Sequence, residues 1–455
     1  MNFSSLEFIF LFVPLFFGVY YKLPERWRNA AICIGSVIFY AAGTYKHPYF
    51  LLMLVASTVI NYALGMLIDC FPRYGRHWVA LGVIANIGSL FFLKYAGGSS
   101  GILLPVGLSF FAFRAVSYLV DVRKCRCPAE RSPLEFAVFM CMFPCLVAGP
   151  ITTYKDMRRQ LCRREYSLAG FVSGARVFII GLGCKALIAN NLSALWSRVG
   201  ALGYSNISSP LAWIAIIGYS LYIYFDFYGY SLMAIGTGRM LGFDIPENFR
   251  DPYLATGMAD FWRRWHITLG EWFKKYIYIP LGGNRFGDGR TLLNLLAVWL
   301  FTGMWHGATF NFILWGLILF ILIAGEKFLW GEQLERHPVA GHIYMAFAIP
   351  LTWSVFAITD LGRLGEFFAR LFPFLPHGEV FAMSGDWIKY GLQYGIWIIL
   401  GVICCTNLPK KLINKLRGTL AGDIALLVLL IVSVLLICQN SGGPVHVRKF
   451  LTKVR

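Results

Sequence analysis

The chain has 455 residues, of which 58% are hydrophobic and only 14% are charged, and its mean hydropathy is +0.62. About a quarter of the residues in a soluble domain are charged, so this composition excludes an ordinary soluble enzyme and indicates a membrane protein. The formal net charge of +18 is concentrated in short loops beside apolar runs, which is typical of cytoplasmic loops and argues against nucleic acid as a partner.

Apolar runs that could form membrane-spanning helices recur along the whole chain. A helix needs about 20 apolar residues to cross the hydrocarbon core of a bilayer, so the runs predict about eleven crossings. We therefore expect an all-α, polytopic membrane protein that forms a single domain over residues 1–455. The candidate spans are residues 3–21, 29–44, 48–68, 78–94, 102–120, 171–192, 209–235, 291–325, 340–358, 387–408 and 422–439.

Loops rich in Lys and Arg predict the orientation of the chain. Basic clusters lie at residues 22–28, 123–131 and 158–164, and cytoplasmic loops carry an excess of such residues. If the cluster at 22–28 is cytoplasmic, the first residues of the chain lie outside the cell. Near the C-terminus, residues 410–417 and 448–455 are both basic and flank one apolar run, so the side of the C-terminus stays open.

A further apolar run, residues 135–150, does not fit a clean crossing. It has basic segments on both sides and contains Pro144 and the pair Gly149-Pro150. Because proline interrupts a helix, we expect a re-entrant or broken element here. Irregular backbone at membrane depth is tolerated only where protein or a water-filled cavity surrounds it.

The largest polar block of the chain, residues 239–290, is also rich in aromatic side chains. This combination predicts helices that lie at the cytoplasmic interface or dip into it. The following run, residues 291–325, is too long for one straight span. We expect it to bend near Gly303 or Gly307.

The chain has eleven cysteines. An odd number of cysteines, most of them within apolar runs, argues against a secreted disulfide framework. Cys125 and Cys127 form a C-x-C pair, but no second Cys or His pair follows at a zinc spacing, so no metal site is expected.

Two histidines occupy positions that call for an explanation. His306 is the single titratable residue of the run 291–325, and an ionisable residue inside an apolar span is by default a candidate for a functional role. The alternative is a neutral, hydrogen-bonded structural imidazole. His266 lies in the aromatic and basic stretch 261–268, where it is either part of a site or a bystander in an interfacial belt.

Asp226 is a carboxylate inside the apolar run 209–235, so it must be paired or neutralised. It could orient a histidine or balance a cation such as Arg239, and structural pairing is the favoured interpretation. The chain contains no G-x-S-x-G, Walker A or H-E-x-x-H motif in a suitable context. Hydrolase, ATPase and zinc-protease chemistry therefore have no support.

A set of ordered motifs resembles the membrane-bound O-acyltransferase family. The motifs are Phe225-Asp226-Phe227-Tyr228-Gly229-Tyr230-Ser231, Pro246-Glu247-Asn248-Phe249, Phe261-Trp262-Arg263-Arg264-Trp265-His266, Ile279-Pro280-Leu281-Gly282-Gly283-Asn284-Arg285 and Gly303-Met304-Trp305-His306-Gly307-Ala308. The likeness spans about residues 100–325, and within the family it is most similar to the bacterial branch of alginate, peptidoglycan and cellulose O-acetyltransferases.

Some positions depart from that branch. Leu232 and Lys275 stand where the alginate branch is expected to have aspartates, and Gly270 replaces a serine. Leu232 is more like the branch that transfers D-alanine to teichoic acid, whereas the motif at 279–285 favours acetylation of a polysaccharide. The acceptor therefore stays open among alginate, peptidoglycan, cellulose and other exported glycans.

The resemblance implies a multi-pass enzyme of the bacterial inner membrane, with its helices arranged around a central tunnel. Such an enzyme would move an acyl group from acetyl-CoA or another acyl thioester to hydroxyl groups of an exported polysaccharide or peptidoglycan. The implied partners are this acceptor, the lipid bilayer and an extracytoplasmic acetyltransferase, and no metal is implied. Competing interpretations are D-alanyl transfer, an acyl relay to a partner protein, and a transporter or channel without chemistry.

The resemblance also implies roles for individual residues. His306 would act as the general base, because an imidazole titrates near neutral pH and can take the proton of an attacking hydroxyl. His266, or a backbone N–H between Gly303 and Gly307, would stabilise the oxyanion. Three basic residues would either bind phosphate groups of the thioester or contact anionic lipid. These are Arg263, Arg264 and Arg285, and the expected site is completed by Asp226, Trp265 and Trp305.

Overall fold

Helices account for about 80% of the structure. The computed structural model describes residues 2–96, 103–374 and 385–441. Within these ranges there is no β-strand, and a single isolated bridge pairs Phe249 with Trp265. The predicted all-α class is therefore confirmed, while the basic segment 448–455 lies outside the described residues.

The helices are numbered here in chain order. They are α1 (Phe8–Tyr20), α2 (Glu25–Thr44), α3 (Tyr49–Cys70), α4 (Pro72–Tyr95), α5 (Leu108–Arg123), α6 (Pro133–Cys141), α7 (Tyr154–Cys162), α8 (Leu168–Leu202), α9 (Ser209–Met240), α10 (Met258–Arg264), α11 (Ile267–Phe273), α12 (Gly287–His306), α13 (Phe310–Arg336), α14 (Pro338–Ala357), α15 (Leu361–Leu371), α16 (Asp386–Cys404), α17 (Leu408–Leu416) and α18 (Leu420–Ser441). Serine side chains accept hydrogen bonds from backbone N–H groups in the first turns of α6, α8 and α9. These serines are N-caps, and they mark where the three helices begin.

Among the described residues, eight helices are long and apolar enough to cross a membrane. They are α3, α4, α8, α9, α13, α14, α16 and α18. The polytopic architecture is confirmed; about eleven crossings were predicted, and three shorter or more polar helices fall outside these eight candidates. Helix α1 spans only Phe8–Tyr20, α5 has 16 residues and buries Arg114 and Asp121, and α2 begins with the charged Glu25 and Arg26.

The run at 291–325 is divided into two helices, as its length predicts. Helix α12 ends at His306 and α13 begins at Phe310, with Gly307 between them. The two helices pack closely, since a Cβ atom built on Gly316 would lie 2.5 Å from the carbonyl oxygen of Trp299. His306 therefore sits at the end of one helix in a tightly packed antiparallel pair.

The apolar run at 135–150 is broken, as expected from its prolines. Helix α6 has nine residues and is followed by a short 3₁₀ turn, Phe143–Cys145. Arg114 of α5 is fully buried against this element, where its guanidinium donates hydrogen bonds to the carbonyl oxygens of Phe139 at 2.9 Å and Met140 at 2.8 Å. The arginine thus satisfies carbonyl groups that the end of a buried helix would leave unpaired.

Helices α8 and α9 approach each other at two glycine pairs. A Cβ atom on Gly174 would lie 2.5 Å from the carbonyl oxygen of Gly236, and one on Gly181 would lie 2.6 Å from that of Gly229. Small residues at such crossings let the backbones of membrane helices come into direct contact. This contact sets the position of the polar residues that the two helices carry farther along.

The bundle has two distinguishable ends. At the basic end, the side chain of Asn29 donates to the carbonyl oxygen of Leu161 at 2.9 Å, and Tyr21 donates to that of Met240 at 2.6 Å. Helix α2 leads away from this end over 20 residues, or about 30 Å, and finishes at Thr44. We call the end that contains Thr44 the opposite end.

Candidate active site

A cavity of about 780 Å³ occupies the interior of the bundle. Thr44 and Leu104 line it towards the opposite end, and Lys274 and Tyr278 line it towards the basic end. His306 and His266 both face this cavity. The two histidines, which are 40 positions apart in the sequence, are thus brought to one internal space, in the arrangement that a central tunnel requires.

Aromatic rings pack against one side of the His306 imidazole, and its other side faces the cavity. Its ring centroid lies 4.4 Å from that of Trp305, 5.1 Å from that of Trp315 and 5.1 Å from that of Phe356. Among the described residues, its ring nitrogens make no hydrogen bond to a protein group. The imidazole is therefore fixed in place while its nitrogens remain available to a bound molecule.

His266 has an unusual backbone conformation. It lies between α10 and α11 with φ +45° and ψ +52°, in the left-handed region that residues other than glycine rarely adopt. Only 5% of the residue is exposed, and its ring packs edge-on against Phe227 with 4.7 Å between the centroids. Strained backbone of this kind is concentrated at functional sites.

A hydrogen-bond network orients the His266 ring. The Nδ1 atom lies 2.9 Å from Oδ1 of Asn248, and the Thr268 hydroxyl donates to the same oxygen at 2.9 Å while accepting from the backbone N–H of Ile151 at 2.9 Å. The Asn248 amide nitrogen in turn donates to Ser231 at 3.2 Å. Because Oδ1 acts as the acceptor, Nδ1 of His266 carries the proton and Nε2 keeps a lone pair.

Asn248 and Thr268 were not selected from the sequence. Asn248 is one of two polar members of the motif at 246–249, beside Glu247, and that motif was the available signal. His266 lies outside the eight candidate spans, and burial lowers its pKa to about 3. The ring is therefore neutral at physiological pH, and its Nε2 atom is able to accept a hydrogen bond.

The polar block at 239–290 does not lie flat on the surface. Helices α10 and α11 bury Phe261 and Trp272, and the indole N–H of Trp272 donates to the carbonyl oxygen of Phe113 in α5 at 2.9 Å. Other aromatic residues of the block line the cavity, namely Trp262, Trp265, Phe273 and Tyr278. The position of the block relative to the membrane interface stays a prediction.

Asp226 is paired, as predicted, but its partner is Lys185 rather than Arg239. The Lys185 ammonium donates to Oδ1 of Asp226, and both residues line the cavity. Arg239 instead donates to the hydroxyl of Ser173 at 3.4 Å. Lys185 lies on a π-helical turn of α8, Cys184–Ala189, and turns of this type are frequent at functional sites.

None of the three arginines predicted to bind the cofactor lines the cavity. Arg264 and Arg263 pair with Asp260 at 2.8 Å and 3.4 Å, and Arg285 is exposed. The cation that faces the cavity near the basic end is Lys274. A role for the arginines in cofactor binding stays a prediction.

The two tryptophans that precede the histidines both line the cavity. The Trp265 ring lies 5.1 Å from that of Trp353, and the Trp305 ring lies 5.6 Å from that of Phe113. The Trp305 carbonyl oxygen accepts a hydrogen bond from the buried Lys94 of α4. Lys94 thus anchors the end of the helix that carries His306, a contact that the sequence did not predict.

Comparison with known proteins agrees with this architecture. The family model for membrane-bound O-acyltransferases matches residues 128–331. The chain is 36% identical to the probable alginate O-acetylase AlgI of Pseudomonas aeruginosa over 397 residues, which cover 82% of this chain and 75% of that protein. It is 35% identical to the peptidoglycan O-acetyltransferase of Helicobacter pylori over 364 residues, or 70% of this chain and 68% of that protein.

A more distant relative transfers a different group. The teichoic acid D-alanyltransferase of Bacillus subtilis is 27% identical over 248 residues, or 51% of this chain and 62% of that protein.

The structure is thus a helical membrane bundle with two histidines on one internal cavity, and the matched relatives are membrane acyltransferases. The chain belongs to the membrane-bound O-acyltransferase family, as its motifs predict. It is accordingly an acyltransferase and a multi-pass protein of the bacterial inner membrane. The interpretation as a transporter or channel without chemistry is set aside.

Proposed function

We propose that the protein transfers an acetyl group from a cytosolic thioester to hydroxyl groups of an exported polysaccharide or peptidoglycan. The donor would be acetyl-CoA or another acyl thioester. The observation that carries the proposal is that His306 and His266 line one cavity, which extends from the basic end towards the opposite end. Relatives named for acetylation align at 35–36% identity, whereas the D-alanyltransferases align at 24–27%, and this difference favours acetyl over D-alanyl transfer.

In the proposed reaction His306 is the general base. A hydroxyl oxygen of the acceptor attacks the thioester carbonyl carbon and forms the new C–O bond while its proton passes to His306. Collapse of the tetrahedral intermediate breaks the C–S bond, and the leaving thiolate takes the proton from the imidazolium. A positioned base of this kind contributes about 10²- to 10⁴-fold to the rate.

His266 has a different role in this proposal. With Nδ1–H donated to Asn248, the lone pair on Nε2 can accept a hydrogen bond from the acceptor hydroxyl or from the donor. It cannot donate to an oxyanion in that tautomer. The predicted alternative, a backbone N–H between Gly303 and Gly307, stays a prediction.

The basic end is the proposed donor side. Cytoplasmic loops are rich in Lys and Arg, and the thioester is cytosolic, so the donor would enter past Lys274. Arg263, Arg264 and Arg285 lie outside the cavity, and any contact they make with a cofactor phosphate would precede entry. The glycan would reach the histidines from the opposite end.

An extracytoplasmic acetyltransferase is proposed as a partner for acceptors that do not enter the cavity. In that case the acetyl group would pass to the partner before it reaches the polymer. Labelled acetyl retained on the partner after a short incubation would support this relay, whereas label found directly in the glycan without the partner would support direct transfer.

The test is the ester content of the envelope glycans in cells that carry His306→Ala at normal expression. We expect O-acetylation to fall to the background level. The matched control is His342→Ala, because His342 is an exposed histidine on α14 and lies outside the cavity. Unchanged ester content in the His306 variant would refute its assignment as the base.

A further inference from the structure

Helices α8 and α9 form part of the cavity wall, and they contribute polar groups to it. Lys185 and Asp226 lie near the middle of these helices, and both line the cavity. Asn190 and Ser193 follow on α8 and also line it. Because α8 rises about 1.5 Å per residue towards the opposite end, Ser193 lies about 12 Å farther along than Lys185.

Apolar and aromatic side chains line much of the rest of the cavity, among them Leu269, Phe273, Leu295 and Val298, while Lys274 lines it towards the basic end. Helices α8 and α9 thus bring a carboxylate, an ammonium, an amide and a hydroxyl to a cavity that is largely apolar. Such groups are what a site for a hydroxyl-rich molecule requires, since each of its polar groups must find a partner when it leaves water.

We propose that this wall is the subsite for the acceptor sugar, with Lys185 and Asp226 at its centre. The inference rests on the proposed function and deepens it. Asp226 accepts hydrogen bonds from hydroxyl groups next to the one that is acylated, and Lys185 donates to a neighbouring sugar oxygen. Asn190 and Ser193 contact the next unit of the glycan towards the opposite end.

The exposure of the pair supports a role in binding. The Lys185 side chain is 9% exposed and that of Asp226 is 24% exposed, so the carboxylate retains surface towards the cavity. One carboxylate oxygen receives the ammonium, while the other oxygen keeps its capacity to accept hydrogen bonds.

The pair is not needed to hold the two helices together. The glycine contacts of Gly181 with Gly229 and of Gly174 with Gly236 already set the distance between α8 and α9. A buried ion pair is also a weak source of stability, because desolvation offsets its attraction. Its position in the cavity wall is therefore better explained by a ligand.

The chemistry of the pair selects a class of acceptor. A carboxylate next to an ammonium matches the adjacent hydroxyl groups of a sugar ring, which donate and accept at neighbouring positions. We therefore expect acceptors with free neighbouring hydroxyl groups on a sugar ring to be used.

The experiment measures acetyl transfer by the purified full-length protein from acetyl-CoA to unacetylated alginate oligosaccharides and to peptidoglycan fragments. For Asp226→Asn we expect the acceptor KM to rise at least tenfold while kcat stays within twofold. Ser193→Ala serves as a second variant without a charge change, and its acceptor KM should rise by about threefold.

The matched control is Asp423→Asn, which breaks a second ion pair of α8, that of Arg176 with Asp423 at 2.8 Å, outside the cavity. An unchanged acceptor KM in Asp226→Asn would overturn the inference. A parallel fall of kcat and Tm with an unchanged KM would also overturn it, since the pair would then be structural. If the wild-type protein transfers acetyl to neither glycan, the proposed function itself fails, and this outcome is distinct from both.

Discussion

Nδ1 of His266 lies 2.9 Å from Oδ1 of Asn248, and this contact joins a residue in a strained backbone conformation to a network of buried polar groups. The network reaches Ser231 on α9 and the backbone of Ile151 through Thr268. This network determines which ring nitrogen of His266 carries the proton and which one keeps a lone pair.

Replacing Asn248 by alanine removes the acceptor that fixes the His266 ring. The ring can then adopt the other tautomer, and a misplaced proton acceptor costs catalysis. We expect acetyl transfer to fall by about 10²-fold, as measured by ester formation with purified protein. Asn294→Ala is the control, because Asn294 is also buried but bonds to the carbonyl oxygen of Gly283. Equal activity of the two variants would contradict the role of Asn248.

Lys94 anchors the helix end that carries His306. Its ammonium donates to the Trp305 carbonyl oxygen, and a cation at a helix C-terminus also interacts favourably with the helix dipole. Lys94→Met should therefore reduce transfer about tenfold, equivalent to about 1.4 kcal/mol in the barrier. Lys46→Met provides the comparison, since Lys46 is exposed. If both lysine variants retain full activity, the anchor has no catalytic consequence.

The close packing of α12 and α13 depends on Gly316. An added Cβ atom would approach the Trp299 carbonyl oxygen at 2.5 Å, so the helices would have to separate. We expect Gly316→Ala to lower the free energy of unfolding by about 1–3 kcal/mol, seen as a lower Tm in detergent. Gly289→Ala on α12 is the control, because its Cβ would meet no atom within 4 Å. A Tm for Gly316→Ala that matches the wild-type value would show that the contact can relax.

The buried, neutral state of His266 predicts a dependence of stability on pH. Burial lowers the native pKa to about 3, whereas the unfolded chain titrates near 6.5. Below pH 6.5 the unfolded state therefore binds more protons than the native state. The free energy of unfolding falls as the pH falls below 6.5, by up to about 1.4 kcal/mol per pH unit. Thermal unfolding between pH 7.5 and 5 should show a smaller slope for His266→Gln than for the wild type. The exposed His342→Gln should keep the wild-type slope, and three equal slopes would contradict the prediction.

The sequence was sufficient for those features that depend on local patterns. Long apolar runs predict the helices, the length of residues 291–325 predicts the break at Gly307, and Pro144 predicts the broken element. His306 could be selected because a lone ionisable residue in an apolar run is costly. Hydropathy alone does not reveal that α5 buries Arg114 and Asp121 inside the protein.

The partners of the site residues could not be read from the sequence. Lys185 and Asp226 are 41 positions apart, Asn248 and His266 are 18 apart, and Lys94 and Trp305 are 211 apart. Each contact joins segments that the fold brings together from separate parts of the chain, which a linear pattern does not encode. The charge of Arg263 and Arg264 suggested a phosphate site. In the structure both arginines pair with Asp260, a contact that their charge alone did not predict.

The central claim is that donor and acceptor meet at His306 from opposite ends of one cavity. It is tested most directly in proteoliposomes that enclose unacetylated alginate oligosaccharide and receive labelled acetyl-CoA on the outside only. The account predicts labelled acetyl ester on the enclosed glycan with the wild-type protein and none with His306→Ala. Equal labelling by the two proteins, or label confined to glycan on the donor side, would contradict it.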